Sequence, residues 1–287
     1  MKQVYLICEG EANSLDSRLL KRFFARQSVY ALIESSGGDA QLGSIATYIE
    51  KREMLSSVDK KTQPIVFTIR DRNYDDLVTC RESWNKGRTL VWCKHEIENY
   101  LLEPKVVSQG LKRFDSRFAD LVFTKNLLDI ISQQFIEAHA GKLTFHKFQK
   151  KRLGFDLRLE LPKGVSSKTT RDYWIGLIRG EFRKLNNAAK LLSASNAFDE
   201  QTVETEYDLE LNTLRSSHFF ENEMHLNDLE GKELLSALID HFNKDTGKNV
   251  ERDDFEEYLI SGFVDSYDAS NSELHDFGKL EKRLKGE

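Results

Sequence analysis

The 287-residue chain has only three cysteines, Cys8, Cys80 and Cys93, and their spacing is not that of a metal-ligand set. Two of them close apolar runs, which reads as reduced core thiols in a cytoplasmic protein. No stretch approaches the roughly 18 consecutive apolar residues of a membrane span. The first residues, MKQVYLICEGE, reach charge too soon for a signal peptide. No GxGxxG follows the first apolar run, which argues against dinucleotide binding, and no P-loop is present, so this chain is not expected to hydrolyse ATP. Internal repeats and low-complexity segments are also missing. What remains is a polar, globular composition, 39% hydrophobic and 31% charged, with enough length for a sizeable core.

Against these absences stand three apolar runs that each end in acids. Val4–Cys8 runs into Glu9-Gly10-Glu11. Ile65–Ile69 runs into Arg70, Asp71, Arg72 and then Asp75 and Asp76. Thr89–Cys93 runs into Lys94-His95-Glu96-Ile97-Glu98-Asn99. A short apolar run of this kind predicts a buried parallel strand, and ligands of open α/β sheets sit outside the carboxyl ends of the strands. Three strands that deliver carboxylates to one edge suggest a divalent-metal site. The competing reading of any one acid is a helix cap or a solvated loop residue.

In chain order the spacing predicts a strand over 4–10, a helix from Ser14 to Arg26, a strand from Val29 to Glu34 and a helix from Gln41 to Met54. A strand at 65–69, a helix within 75–86 and a strand at 89–93 follow. Glu96 to Leu102 reads as a turn or short helix ended by Glu103-Pro104. This alternation predicts an α/β fold with a mostly parallel sheet flanked by helices, over residues 1–104. Residues 105–287 read as mainly helical. Helices are expected over Ala119–Ala140, Tyr173–Leu192, Leu229–Phe242, Asp253–Tyr267 and Glu273–Leu284. Strands are expected to interrupt around 142–162, where Leu143, Phe145, Phe155, Leu157, Leu159 and Leu161 partly alternate.

The net charge of −5 is unevenly spread. Residues 199–287 carry −15 and residues 1–198 carry +10. The densest basic stretch, 142–171, has nine Lys or Arg against two acids, and includes Lys150, Lys151 and Arg152. It is expected to face nucleic acid, because Lys and Arg neutralise phosphates. The alternative is a solvated face. Phe145, Phe148 and Phe155 within it read as core rather than as stacking platforms for bases. The acidic helices after 199, with Glu256 and Glu257 among their acids, are expected to face protein. Arg70 and Arg72 read equally as ion-pair partners of the neighbouring acids or as phosphate contacts, and His95 as a surface or supporting residue.

In combination these residues resemble a known family. Glu9-Gly10 closing the first strand and an Asp-x-(Asp) element closing a later one are similar to the toprim domain of topoisomerases, primases and OLD-type nucleases. EGEANSLDSRLL, DRNYDD, HEIENYLLEP and Leu229-Glu230-Gly231-Lys232 resemble more closely a bacterial toprim-like effector family. Its members pair with ABC-type ATPases in anti-phage defence, as in the PARIS system. The toprim part of the resemblance covers about residues 1–104.

The resemblance implies that Glu9 is a metal ligand or general base, that Asp16 is the acid about one helical turn later, and that Asp71 is the first Asp of the DxD pair. Asn73 stands where the second Asp belongs. A neutral amide is the weaker ligand, and Asp75 or Asp76 is the candidate to compensate. Glu98 is the closer match within Ile-Glu-Asn-Tyr, with Glu96 beside it, and Lys94 is placed to neutralise a scissile phosphate. Oxygen donors of this kind suit Mg²⁺ or Mn²⁺, and Gly10 permits the tight turn that brings metal and phosphate together. The expectation is a Mg²⁺-dependent endonuclease acting on RNA such as tRNA, with DNA as the other substrate. It would be controlled by an ATPase partner and be a homodimer. The alternative is a catalytically degenerate toprim scaffold that binds nucleic acid or protein.

Overall fold

The computed structural model of the chain describes residues 3–56, 64–72, 74–75, 77–152, 170–191, 200–268 and 274–286. Two compact units are present, Met1–Leu128 with Glu230–Glu287, and Asp129–Leu229.

In the first unit, β1 (Val4–Cys8), β2 (Leu32–Ser35), β3 (Ile65–Arg70) and β4 (Thr89–Val91) form one sheet in the order β2-β1-β3-β4. All its pairings are parallel. Parallel neighbours need a crossover, and α1 (Leu15–Gln27), α2 (Asp39–Ser56) and α3 (Leu77–Lys86) supply it. The chain steps one way from β1 to β2 and the other way from β2 to β3. Right-handed crossovers therefore put α1 and α2 on opposite faces. β1 reads as an unbroken apolar run because all five of its residues are buried. Tyr5, Ile7 and Val66 pack on Leu42 and Ile49 of α2.

β1 ends at Cys8 rather than at residue 10, and two further strand ends differ from expectation, one for a local reason and one because of a distant partner. β2 starts at Leu32, not Val29, because the chain is still leaving α1. Ser28 sits in the left-handed region at φ 53°, and the Val29 N–H bonds the Phe24 carbonyl at 3.1 Å. β4 stops at Val91 because the Cys93 N–H is taken by the Asp276 carboxylate at 2.8 Å.

The later helices α4 (Glu98–Leu101), α5 (Pro104–Leu111), α12 (Gly231–Thr246), α13 (Arg252–Ser266) and α14 (His275–Lys285) complete this unit. Phe277 of α14 stacks on Trp92 at 4.8 Å and meets Phe23 of α1 edge-on at 5.1 Å. Asp276 also accepts from the Tyr100 hydroxyl, so α14 is fixed to the end of β4 by both packing and hydrogen bonds. α5 and α13 cross at two glycines. A Cβ on Gly110 would lie 2.6 Å from the Tyr258 carbonyl oxygen, and one on Gly262 would lie 2.6 Å from the Gly110 nitrogen.

Glu256 does not face outward, and both Glu256 and Glu257 are engaged within the unit. Glu256 is buried and takes Arg18 of α1 and, at 2.7 Å, Arg252. Glu257 takes Arg18 and Arg22, each at 3.2 Å. These acids tie α13 to α1.

The second unit contains the end of α6 (Leu121–Gln133), then α7 (Ile136–Arg152), α8 (Arg171–Leu191), α9 (Glu200–Leu214), α10 (Ser217–Glu221) and α11 (Met224–Asp228). The helix expected over 119–140 is two. The break needs no glycine or proline: tightened turns, Gln134 N–H to Ile131 O at 3.1 Å and Phe135 N–H to Ser132 O at 3.0 Å, end α6. The strands expected around 142–162 are corrected where the chain is described, because Lys142–Arg152 is helical. Phe145 and Phe148, three apart, share one helix face and are buried with Ile178 and Val203. Residues 153–162, with Phe155, lie outside the described residues.

The charge asymmetry is partly cancelled inside this unit. Arg171 makes a fork with Asp208 at 2.7 Å on both arms, Arg179 meets Glu204 at 2.6 Å, and Lys147 meets Glu206 at 3.3 Å. Such partly exposed pairs are worth up to about 1 kcal/mol each, so they orient α9 on α7 and α8 more than they stabilise it. Lys150, Lys151 and Arg152 end α7, and their side chains lie outside the described ones.

Candidate functional site

The loops that follow β1, β3 and β4 bring five carboxylates into one electrostatic neighbourhood: Glu9, Asp16, Asp71, Glu96 and Glu98. The turn after β1 is built first. The Ser36 N–H bonds the Cys8 carbonyl at 2.9 Å, the Gly37 N–H bonds the Gly10 carbonyl at 3.0 Å, and the Ser36 hydroxyl donates to the Glu9 carbonyl at 3.2 Å. Gly10 is required here because a Cβ would strike the Ser14 hydroxyl and come within 3.0 Å of Asp16 Oδ2. The absence of a side chain lets the first turn of α1, which carries Asp16, close against the turn that carries Glu9.

Backbone amides then link one strand end to the next. The Asp71 N–H donates to Glu9 Oε2 at 3.3 Å, and the Ile97 N–H donates to Asp71 Oδ1 at 3.2 Å. Asn99 Oδ1 accepts from the Glu96 N–H at 2.9 Å and so shapes the turn into α4. Glu98 is buried, and its Oε2 has no hydrogen-bond partner among the described residues.

A residue far along the chain completes the arrangement. Gly231 and Lys232 open α12, and Glu96 lies across that helix end. Its Oε2 accepts from the Lys232 N–H at 3.0 Å, and its Oε1 lies 3.2 Å from the Lys232 ammonium. The same ammonium is 3.9 Å from Asp71 Oδ2. Gly231 makes the approach possible, since a Cβ there would lie 2.7 Å from Asn99 Oδ1 and 2.8 Å from the Glu98 Cβ. Glu230 accepts from the Tyr74 hydroxyl at 3.0 Å, so three successive residues of α12 and its cap hold the acidic edge.

The crowding shows in the protonation equilibria. Burial, with Glu9 and Glu96 adding to it and Lys232 opposing it, raises the Asp16 carboxyl to about 6. Burial and then the Asp16 charge hold Asp71 well above the usual carboxylate range, again against Lys232. Burial raises Glu98 to about 7, with Lys232 opposing and Glu96 adding. The Lys232 ammonium is held above its ordinary value by Glu96, Glu98 and Asp71, which outweigh its own desolvation.

These shifts fix a sign for stability. An unfolded Glu98 loses its proton near 4.5, whereas the folded one keeps it to about 7. Between those values the native state binds more protons, so stability falls as pH rises through that window. Asp16 acts the same way between 3.8 and about 6. Urea midpoints are expected to drop between pH 4.5 and 7.5. Glu98→Gln should remove on the order of 2 kcal/mol of that drop. Parallel curves for the two proteins would mean that the Glu98 carboxyl titrates as it does in water.

Several residues singled out in the sequence are committed elsewhere. Lys94 is buried in an ion pair with Glu103, with its ammonium 5.2 Å from the centre of the Tyr100 ring, so the cation among the carboxylates is Lys232 and not Lys94. Arg70 is held by Asp75 at 2.6 Å and by the Asp71 carbonyl at 3.0 Å. Asp75 is thereby an ion-pair partner rather than a member of the cluster. Arg72 is buried at 6% exposure, and His95 is buried edge-on to Tyr74 at 5.1 Å. Asn73 and Asp76 lie outside the described residues.

Oxygen donors, like-charged crowding and an unsatisfied buried carboxylate oxygen fit a hard divalent cation in chemistry. Among the described residues, however, no three acidic, imidazole or thiol groups stand close enough together to hold one as they are. The ammonium of Lys232 lies between Asp71 and Glu96. The chain matches no protein-family model and no curated protein. Among the described residues, no helix is long and apolar enough to cross a membrane.

Proposed function

We propose that the chain is a metal-dependent phosphodiesterase whose substrate is nucleic acid. The observation that carries this reading is the gathering of Glu9, Asp16, Asp71, Glu96 and Glu98 at the carboxyl edge of a parallel sheet, with Glu98 buried and one of its oxygens unsatisfied. Glu9, Asp71 and Glu98 are the residues that would hold Mg²⁺ or Mn²⁺, with Asp16 beside them. When bound, such a cation offsets the negative charge that grows on phosphate during hydrolysis. The protein's own part is to exclude water from the buried side of the cluster and to move protons. In the metal-free protein burial holds the Glu98 carboxyl up at about 7, so a proton and a cation would compete for it.

The finer reading rests on the toprim-like resemblance. By it the reaction is endonucleolytic, the substrate is RNA such as tRNA, and an ABC-type ATPase restrains a homodimeric effector until phage infection. Further phosphate contact falls to the stretch around Lys150, Lys151 and Arg152, since Arg70 is held by Asp75 and Arg72 is buried.

A second reading is favoured by one observation, the ion pairs of Lys232 with Glu96 and Asp71. A permanent internal counter-ion makes the acidic edge a structural joint, and the chain a binding module on a toprim-like scaffold. Incubation of the purified protein with total RNA and plasmid DNA, in Mg²⁺ or in EDTA, separates the two. The nuclease reading expects fragments of RNA in Mg²⁺ and intact RNA in EDTA. Intact RNA and DNA in both would leave the binding module as the surviving reading.

A further inference from the structure

We infer that Lys232 is a placeholder for the divalent cation: its ammonium occupies the position between Asp71 and Glu96 in the metal-free protein and yields it when metal binds. The inference rests on the proposed metal site and concerns how that site is filled.

Glu96 is held by Lys232 in two separable ways. Its Oε2 is bound by the Lys232 backbone N–H at 3.0 Å, and its Oε1 by the ammonium at 3.2 Å. The first contact belongs to the start of α12 and survives any motion of the side chain. Glu96 therefore stays oriented after the ammonium leaves. The second contact belongs to a side chain that is 56% exposed. Its path to water is open, unlike that of Lys94, whose side chain is 7% exposed and closed in with Glu103.

The charges say why something must stand there. Asp71 and Glu98 are buried, Asp16 is half-buried beside them, and the Lys232 charge acts on all three. Without it, these acids would take up protons or push the turns apart. A divalent ion brings twice the charge and accepts oxygen donors from several directions, so it would do the same work and could also take Glu98 Oε2, which has no hydrogen-bond partner among the described residues. Two cations cannot share one set of carboxylates at no cost. Binding of metal and insertion of Lys232 are thus competing ligations of a single site, and each weakens the other by the same factor.

The test measures Mn²⁺ binding by electron paramagnetic resonance for the wild type, Lys232→Met and Lys232→Arg. Lys232→Met keeps the aliphatic stem and deletes the charge, and is expected to bind Mn²⁺ about 5-fold or more tightly than the wild type, the scale of ordinary coupling between two ligands. Lys232→Arg should stay near the wild type. A second measurement needs no variant. Acetylation of wild-type lysines, mapped by mass spectrometry, should speed up at Lys232 when Mn²⁺ is added and stay slow at Lys94. If Mn²⁺ binds all three proteins alike and Lys232 acetylation is unchanged, the placeholder is overturned while the metal site stands. Weaker binding by Lys232→Met would also overturn it. If neither the wild type nor Lys232→Met binds Mn²⁺, the metal site itself falls, and the placeholder with it.

Discussion

Asp71→Asn is expected to lower nucleic-acid cleavage by about 100-fold or more and to leave the protein folded and slightly more stable. The loss in rate follows from the position of Asp71, which touches each part of the cluster. Its N–H holds Glu9, its Oδ1 takes the Ile97 N–H, and its Oδ2 faces Lys232. Removing one preorganised electrostatic group from a site of this kind costs on the order of 100-fold to 1000-fold. The gain in stability follows from the carboxyl itself, which burial and the Asp16 charge hold well above its ordinary range. A neutral amide of the same shape keeps the Ile97 contact and removes the repulsion. Cleavage of RNA and a urea unfolding curve, measured on one preparation, decide the matter. A stable, fully active Asp71→Asn protein would put the reacting centre elsewhere. A destabilised one would make Asp71 a structural acid.

Gly262→Val is expected to cost about 3 kcal/mol or more, at the upper end of ordinary overpacking. The atoms a side chain would meet there are backbone, the Val106 carbonyl and the Gly110 nitrogen, and backbone cannot swing aside as a flexible side chain can. α5 carries on directly from α4, which bears Glu98 and Asn99, so a forced separation of α5 and α13 also disturbs the site. Gly43 is the control. It lies in the interior of α2 with nothing within 4 Å of a built Cβ, so Gly43→Ala should stabilise by about 0.5–1 kcal/mol. Urea midpoints of the two variants moving in opposite directions is the expected result. Equal, small shifts would mean that the crossing relaxes freely.

The parallel sheet was legible because its inner strands are buried on both faces, so Val4–Cys8 and Ile65–Ile69 are nearly pure apolar runs. Their acids were legible for the same reason, since charge resumes where burial ends. Boundaries were lost where a tertiary partner set them. Asp276, far along the chain, ends β4, and no pattern near residue 93 announces it. The alternation misled over 142–152 because Phe145 and Phe148 also satisfy helical spacing, and packing on α8 and α9 chose the helix. Lys232 is the plainest limit. Gly231-Lys232 entered the sequence reading as part of a resemblance, but its partner Glu96 is 136 residues away, and only the fold could bring them together. Lys94, adjacent to the acids in sequence, was the natural candidate for the cation, and burial against Glu103 took it instead. The net charges of the two stretches do not show where charge is exposed, because α9 spends some of its acids on the bases of α7 and α8.

The division of the first unit into two stretches, with residues 129–229 between them, has a bearing on synthesis in the cell. Ribosomes add about 5–20 residues per second, so on the order of ten seconds separates the emergence of Glu98 from that of Lys232. During that interval the acids that follow β1, β3 and β4 are present, but the helix end that neutralises them is not. The Trp92 face that Phe277 covers is bare for longer still. A nascent chain of this protein thus carries its sheet and its acids without the counter-charge and the covering aromatic layer. Chains that stop short of α12 would expose an apolar face beside an uncompensated acidic edge, and such products are natural clients of chaperones and proteases.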